Sequence, residues 1–222
     1  VERYEDINAG QAHSTITRGD VTMNILHLSP GSIEAKAVKT PHYLFTLRRE
    51  RPLVQEGMLT VTATAKHTDG YPLVIGNLFA SSATGEQPDV TTRQGNGYVA
   101  GEANGKPFVF NTRPGWLYSA DDVTTDALAY TWESGTIFVA EATDFRKGGD
   151  RLIRSDAPVT VEISGNSYSY YRSEEGVIEV AAPSTPSAVT VNGERVQDYQ
   201  YDRRSGLVSV QVPAGEGVIT VN

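Results

Sequence analysis

The chain has 222 residues, no cysteine, and 19 basic against 27 acidic residues, for a net charge of −8. That length buries a core of its own, and the missing thiols exclude a disulfide scaffold, a cysteine-ligated zinc site and a thiol nucleophile. The acidic balance argues against non-specific binding to nucleic acid, which needs clustered lysine and arginine, and no apolar run approaches the roughly 20 residues that span a bilayer.

The first residues, Val1-Glu2-Arg3-Tyr4, carry neither an initiator methionine nor a basic-then-apolar leader. They read as the start of a mature or excised piece of a larger polypeptide. From there 21 glycines and 11 prolines fall every few residues, so no long helix survives uninterrupted. Alternating apolar and polar runs lie between these breakers. The first half of the chain has them at 21–28, 33–38, 43–47, 59–65, 73–80, 97–101 and 107–111. The second half has them at 127–132, 136–142, 159–163, 167–171, 177–181, 187–191, 207–212 and 218–221. β-Branched and aromatic residues dominate, as a half-buried pleated surface favours.

Turn chemistry agrees. Asp69-Gly70, Asn104-Gly105, Ser134-Gly135 and Asn192-Gly193 suit the positive backbone angles of tight hairpins. About fifteen short strands predict an all-β fold, a large antiparallel β-sandwich of stacked sheets. No repeat of roughly 40 to 50 residues suggests a propeller. Residues 124–129 are the one segment that reads as a short helical turn. The Pro/Ser tract at 182–187 reads as a linker, dividing a main sandwich over 1–182 from closing strands over 183–222 that pack on the same body.

Histidines are candidates for acid–base work because their charge changes near neutral pH. His13, His27, His42 and His67 show no His-x-His or His-x3-His pair, so a histidine metal site is not expected. Neither a Gly-x-Ser-x-Gly elbow nor a phosphate-cradling glycine loop is present. Arg18-Gly19-Asp20 abuts a predicted strand and lacks the exposed tip that an integrin-type tripeptide needs. Asp121-Asp122, Glu141, Asp144, Asp150 and Asp156 offer paired acids for glycoside hydrolysis or a calcium loop, without EF-hand spacing. Eleven tyrosines outnumber six phenylalanines. Tyr168, Tyr170 and Tyr171 crowd one strand, and rings with polar tips stack on sugars, although tyrosine is also an ordinary strand residue.

Several stretches resemble the β-sandwich portion of heparinase II/III-like polysaccharide lyases. Gly10-Gln11-Ala12-His13-Ser14-Thr15-Ile16-Thr17 is similar to an Ala-His-Asn-Thr-Val strand entry near the start of that sandwich, with Ser14 in place of the Asn. The 97–111 and 127–144 hairpins resemble paired strands of it. Val189-Thr190-Val191-Asn192-Gly193-Glu194 and the strands after it are similar to the closing hairpins of carbohydrate-active sandwiches. Arg3-Tyr4-Glu5, Asn8 and Gly19-Asp20 resemble a stretch of the hyaluronate and chondroitin lyases, with the Gly-Asp shifted and Val21 where a glycine follows.

The resemblance implies a sandwich that completes a cleft against a helical toroid domain of the same polypeptide, missing from this sequence. The whole enzyme, secreted or periplasmic, would cleave an anionic, uronate-containing polysaccharide by β-elimination, with the chain inactive alone. His13 or His27 is the candidate catalytic histidine, and Arg3, Arg18, Tyr168 and Tyr170 are candidate substrate contacts. No cofactor or catalytic metal is expected, and a structural divalent cation is compatible with the acidic loops. Neither nucleic acid nor a membrane is an expected partner. The alternative is a non-catalytic carbohydrate-binding or structural β-sandwich with the tyrosines as its platform. A glycoside hydrolase would need two acids facing each other across a cleft.

Overall fold

A computed structural model describes residues 6–9, 13–18, 20–28, 32–42, 54–64, 76–83, 86 and 89–222. The predicted strand at 43–47, the Asp69-Gly70 turn, His67 and Arg3 lie outside the described residues. The chain divides into two compact units, Val1–Val90 and Thr91–Asn222. This division falls well before the Pro/Ser tract.

Unit one holds a four-stranded antiparallel sheet in the order β1 (Asp6–Ala9), β2 (His13–Arg18), β3 (Val21–Leu28), β6 (Gly76–Ala83). A long ribbon of β4 (Ser32–His42) and β5 (Val54–Thr64) pairs over its full length.

Unit two is the larger β-sandwich. Its strands are β7 (Val90–Gly95), β8 (Tyr98–Ala103), β9 (Lys106–Asn111), β10 (Tyr118–Ala120), β11 (Val123–Thr125), β12 (Ala129–Glu133), β13 (Thr136–Lys147) and β14 (Asp150–Ser164). There follow β15 (Ser167–Arg172), β16 (Gly176–Ala181), β17 (Val189–Val191), β18 (Glu194–Arg195), β19 (Gln200–Asp202), β20 (Leu207–Val212) and β21 (Gly215–Val221). All described pairings are antiparallel, and no helix occurs among the described residues.

Two long strands make the sandwich from one continuous ladder. Near its start β14 pairs with β16, Ile153 opposite Val180; near its end it pairs with β15, Thr160 opposite Tyr171. β13 likewise pairs with β12 through residues 136–140 and with β11 through residues 145–147. Register shifts between Val139 and Ala142, and again before Asp144, break the β13–β14 ladder. Glu141 takes φ 52° there. Extra residues in one strand bend it and increase its twist. Layer one therefore runs β7-β8-β9-β12-β13-β14-β15-β21-β17-β18, and layer two runs β10-β11-β13-β14-β16-β20-β19.

The core lies between the layers and follows period-two patterning. In β16 Gly176, Ile178 and Val180 are buried and alternate with half-buried residues. Val109, Tyr130, Val139, Val161, Tyr168 and Ile219 from layer one meet Phe145, Ile153, Ile178, Val180, Val208 and Val210 from layer two in a single apolar cluster. Tyr130 meets Phe145 edge-on at 5.4 Å, Tyr98 stacks on Tyr118 at 5.6 Å, and Tyr168 Oη donates to the Ala181 carbonyl at 2.9 Å.

Three predicted turns form as the sequence implies: Asn104-Gly105, Ser134-Gly135 and Asn192-Gly193 all hold both residues at positive φ. Two expectations change. Residues 124–129 are not helical. Thr125 Oγ1 donates to the Asp144 carbonyl (2.6 Å), and the Asp126 carboxylate accepts from the Thr143 and Asp144 amides (2.9 and 3.0 Å) and from the Thr143 hydroxyl. These side chains bind the β13 bulge instead of closing a helical turn. The Pro/Ser tract is an anchored crossover within unit two, with Ala182 N donating to Gly206 O (2.8 Å) and Tyr199 Oη to Pro186 O (3.2 Å). The strands beyond it are integral, because β21 pairs with β15 and β20 with β16.

Phe145 is fully buried where the two layers meet. Phe145→Ala is expected to destabilise unit two by about 3–5 kcal/mol, through lost transfer energy and the cavity left behind. A denaturant titration followed by tyrosine and tryptophan fluorescence measures it.

Candidate functional site

The outer face of layer one carries the candidate site. In β15, Ser167-Tyr168-Ser169-Tyr170-Tyr171-Arg172, successive side chains point to opposite faces. Tyr168 and Tyr170 share the face of Val161 and Ile163 and are 3% exposed each, so both belong to the core. Tyr171 takes the other face and is 52% exposed. The tyrosine available to a ligand is therefore Tyr171, not the two that the sequence nominates.

The neighbouring strands complete the face. One row runs Phe138, Glu162, Ser169, Val218 across β13, β14, β15 and β21. The next runs Thr160, Tyr171, Glu216. Phe138 is 42% exposed. Together these residues line an open groove of about 410 Å³. Adjacent strands lie about 4.8 Å apart and residues two apart on a strand about 6.8 Å, so Phe138 and Tyr171, two strands and one row apart, stand roughly 12 Å from each other across the groove. At its border the amide of Glu141, the bulge residue, donates to Thr160 Oγ1 (3.3 Å).

A second concavity of about 390 Å³ lies at the end of unit two beside β7 and the β10–β11 turn, between Arg93, Glu102, Pro107, Asp121 and Trp132. Arg93 forms an ion pair with Asp121, and Lys147 reaches both Asp122 (2.9 Å) and the Trp132 ring (5.3 Å). Behind it burial pushes the hydroxyls of Tyr118 and Tyr130 well above their ordinary pKa, and nearby negative groups push the same way. Tyr130 Oη donates to the Ala120 carbonyl (3.5 Å), while the buried Tyr118 Oη has no partner among the described residues. The charges that flank this end, Arg93 with Asp121 and Lys147 with Asp122, are paired.

Of the other nominated residues, His27, His13 and Arg18 lie on the unit-one sheet. His27 is 3% exposed, between two polar side chains on the unit-one sheet. Its Nδ1–H donates to Asn77 Oδ1 (2.7 Å), which leaves Nε2 to accept from the Ser14 hydroxyl (2.9 Å). Both ring nitrogens are engaged and the ring is sealed from solvent. His13 opens β2 opposite Leu26, and Arg18 closes it opposite Val21. Arg3 lies outside the described residues.

Six acidic residues of unit two, Asp121, Asp122, Glu133, Asp144, Asp156 and Glu179, form ion pairs. Asp144 accepts from Arg146 (2.8 and 3.0 Å) and from Arg151 (2.8 and 3.2 Å), and Asp156 accepts from Arg172 (2.7 Å) and from the Val177 amide (3.0 Å). Among the described residues no three histidine, aspartate or glutamate side chains are grouped to hold a metal ion.

No family model matches the chain, and no curated protein is significantly similar to it.

The Asp144 cluster has a pH signature. Burial raises its carboxyl pKa, and the hydrogen bonds and charges of Arg146 and Arg151 outweigh that, holding it below the usual carboxylate value. A carboxyl lowered in the folded state contributes stability that is present above its unfolded pKa of about 3.9 and is lost as pH falls through the folded value. The stability gap between the wild type and Asp144→Asn is therefore expected to be constant near neutrality and to shrink below about pH 4. Urea midpoints measured across that range test it.

Proposed function

We propose that the chain is a glycan-binding β-sandwich of an exported, carbohydrate-processing polypeptide, with the outer groove of layer one as its site. One observation carries this reading: two half-exposed aromatic rings stand about two strands apart on an open sheet face, amid hydroxyls and carboxylates. Pyranose rings present an apolar C–H face that packs on an aromatic ring, while their hydroxyls need acceptors and donors at the rim. Phe138 and Tyr171 supply the rings. Thr160, Ser169, Glu162 and Glu216 supply the polar rim. An open groove suits an extended chain better than a small enclosed ligand, which binds in deeper cavities.

The resemblance to polysaccharide-lyase sandwiches supports the same carbohydrate setting. Elimination requires a base on the proton α to a uronate carboxyl and an acid on the departing oxygen. In this reading those groups belong to a helical domain of the parent polypeptide. The chain alone is then expected to release no unsaturated uronate from a polyuronate, measured by ultraviolet absorbance. Product formed by the chain alone would bring the base and the acid onto these residues.

The platform has a direct test in affinity electrophoresis on a panel of immobilised polysaccharides. Tyr171→Ala is expected to weaken retention roughly tenfold, as loss of an aromatic anchor does. Tyr168→Phe is expected to leave retention unchanged and to cost about 1 kcal/mol of stability, because it removes only the bond to the Ala181 carbonyl. Undiminished retention of Tyr171→Ala would remove the platform.

A further inference from the structure

Each exposed aromatic ring of the groove has a carboxylate for its neighbour. Phe138 lies opposite Glu162 across β13–β14, and Tyr171 lies opposite Glu216 across β15–β21. Directly opposed side chains in antiparallel strands stand about 5 Å apart, close enough for one sugar unit to touch both members of a pair. The groove is lined without lysine, arginine or histidine. Among the described residues neither Glu162 nor Glu216 takes part in an ion pair. The basic side chains of these strands are engaged elsewhere, Arg146 and Arg151 with Asp144, Lys147 with Asp122, Arg154 with Glu179 and Arg172 with Asp156. The groove is thus an aromatic surface under an unneutralised negative field.

We propose that this groove selects glycans carrying protonated amino groups, of the 2-amino-2-deoxyhexose type, over neutral and acidic glycans; the proposal rests on the glycan-binding reading of the same groove. The C–H face of the sugar packs on the ring, and its ammonium group sits beside the paired carboxylate. The ring quadrupole attracts the same cation, so both members of each pair act in one direction. A uronate placed there would bring its own carboxylate against Glu162 or Glu216. Like charges at this range repel, and the cost is greatest at low salt. The anionic polysaccharide implied by the family resemblance does not suit this surface. Exposed ion pairs are individually weak, so the preference is modest and salt-sensitive.

Calorimetric titration of the full chain tests this with three probes of equal length: a β-1,4-linked glucosamine oligomer, its fully N-acetylated counterpart and an oligouronate. The titrations are run at low salt, at a pH that keeps the amine protonated. The glucosamine oligomer is expected to bind about three- to tenfold tighter than the N-acetylated one, and the oligouronate weakest. The preference falls away as salt is raised toward about 1 M. The double variant Glu162→Gln/Glu216→Gln is expected to erase the preference, whereas Glu133→Gln, which removes a carboxylate outside the groove, leaves it intact. Equal affinity for the first two probes, or a preference for the oligouronate, overturns charge selection and leaves glycan binding standing. Failure of natively folded chain to bind any of the three overturns the glycan-binding reading and the selection with it.

Discussion

A single carboxylate secures the bend on which unit two is built. Where β13 passes from one layer to the other, its ladder with β14 shifts register on both sides of Ala142, and the Thr143 and Asp144 amides donate to a side chain. Amide groups left without acceptors in a closely packed region cost roughly 1–3 kcal/mol each. Asp126 accepts from both amides and from the Thr143 hydroxyl, and Thr125 donates to the Asp144 carbonyl beside them. Thr125 ends β11 and Asp126 opens the short link to β12, a strand of the opposite layer. The bond pattern that satisfies the bend also ties the layers together. The outer groove depends on this arrangement, because residues 136–140 of β13 carry Phe138 into it and the bulge residue Glu141 borders it.

Much of the fold was legible in the sequence. Residue pairs with tolerance for positive φ fixed three hairpins, and alternation located most strands of unit two. The first half of β14 was not legible, because Asp150, Arg151, Arg154 and Asp156 interrupt its apolar pattern. Cross-strand partners satisfy three of these residues: Arg151 bonds Asp144, Arg154 meets Glu179, and Asp156 bonds Arg172. The twenty-one strands among the described residues exceed the expected fifteen for a related reason. Strands of two or three residues, such as β10, β18 and β19, are too short for alternation to reveal. The division after Val90 carries no shift in composition, whereas the Pro/Ser tract carries one and proves to be a crossover.

The site was half legible. Three tyrosines in a six-residue strand flagged β15, but either phase of a period-two pattern puts at least one ring on each face. Only the partner strand decides, through Val161 and Ile163, and that information is tertiary. Phe138 gave no local signal, since a phenylalanine in an apolar run reads as core. The acids show the same limit. Abundance and a net charge of −8 do not reveal that Asp144 and Asp156 are chelated by arginine while Glu162 and Glu216 are not.

The shortness of some border strands has a consequence for behaviour in concentrated solution. Layer one ends at β18, two residues long and made of Glu194 and Arg195; layer two ends at β19, three residues long and closed by Asp202. A sheet border recruits foreign chains through a run of unclaimed amides and carbonyls, and charged or abbreviated borders deny it that run. At these two margins a stray extended segment finds too few rungs to zip onto, so a chain so rich in β-structure resists stacking into fibres there.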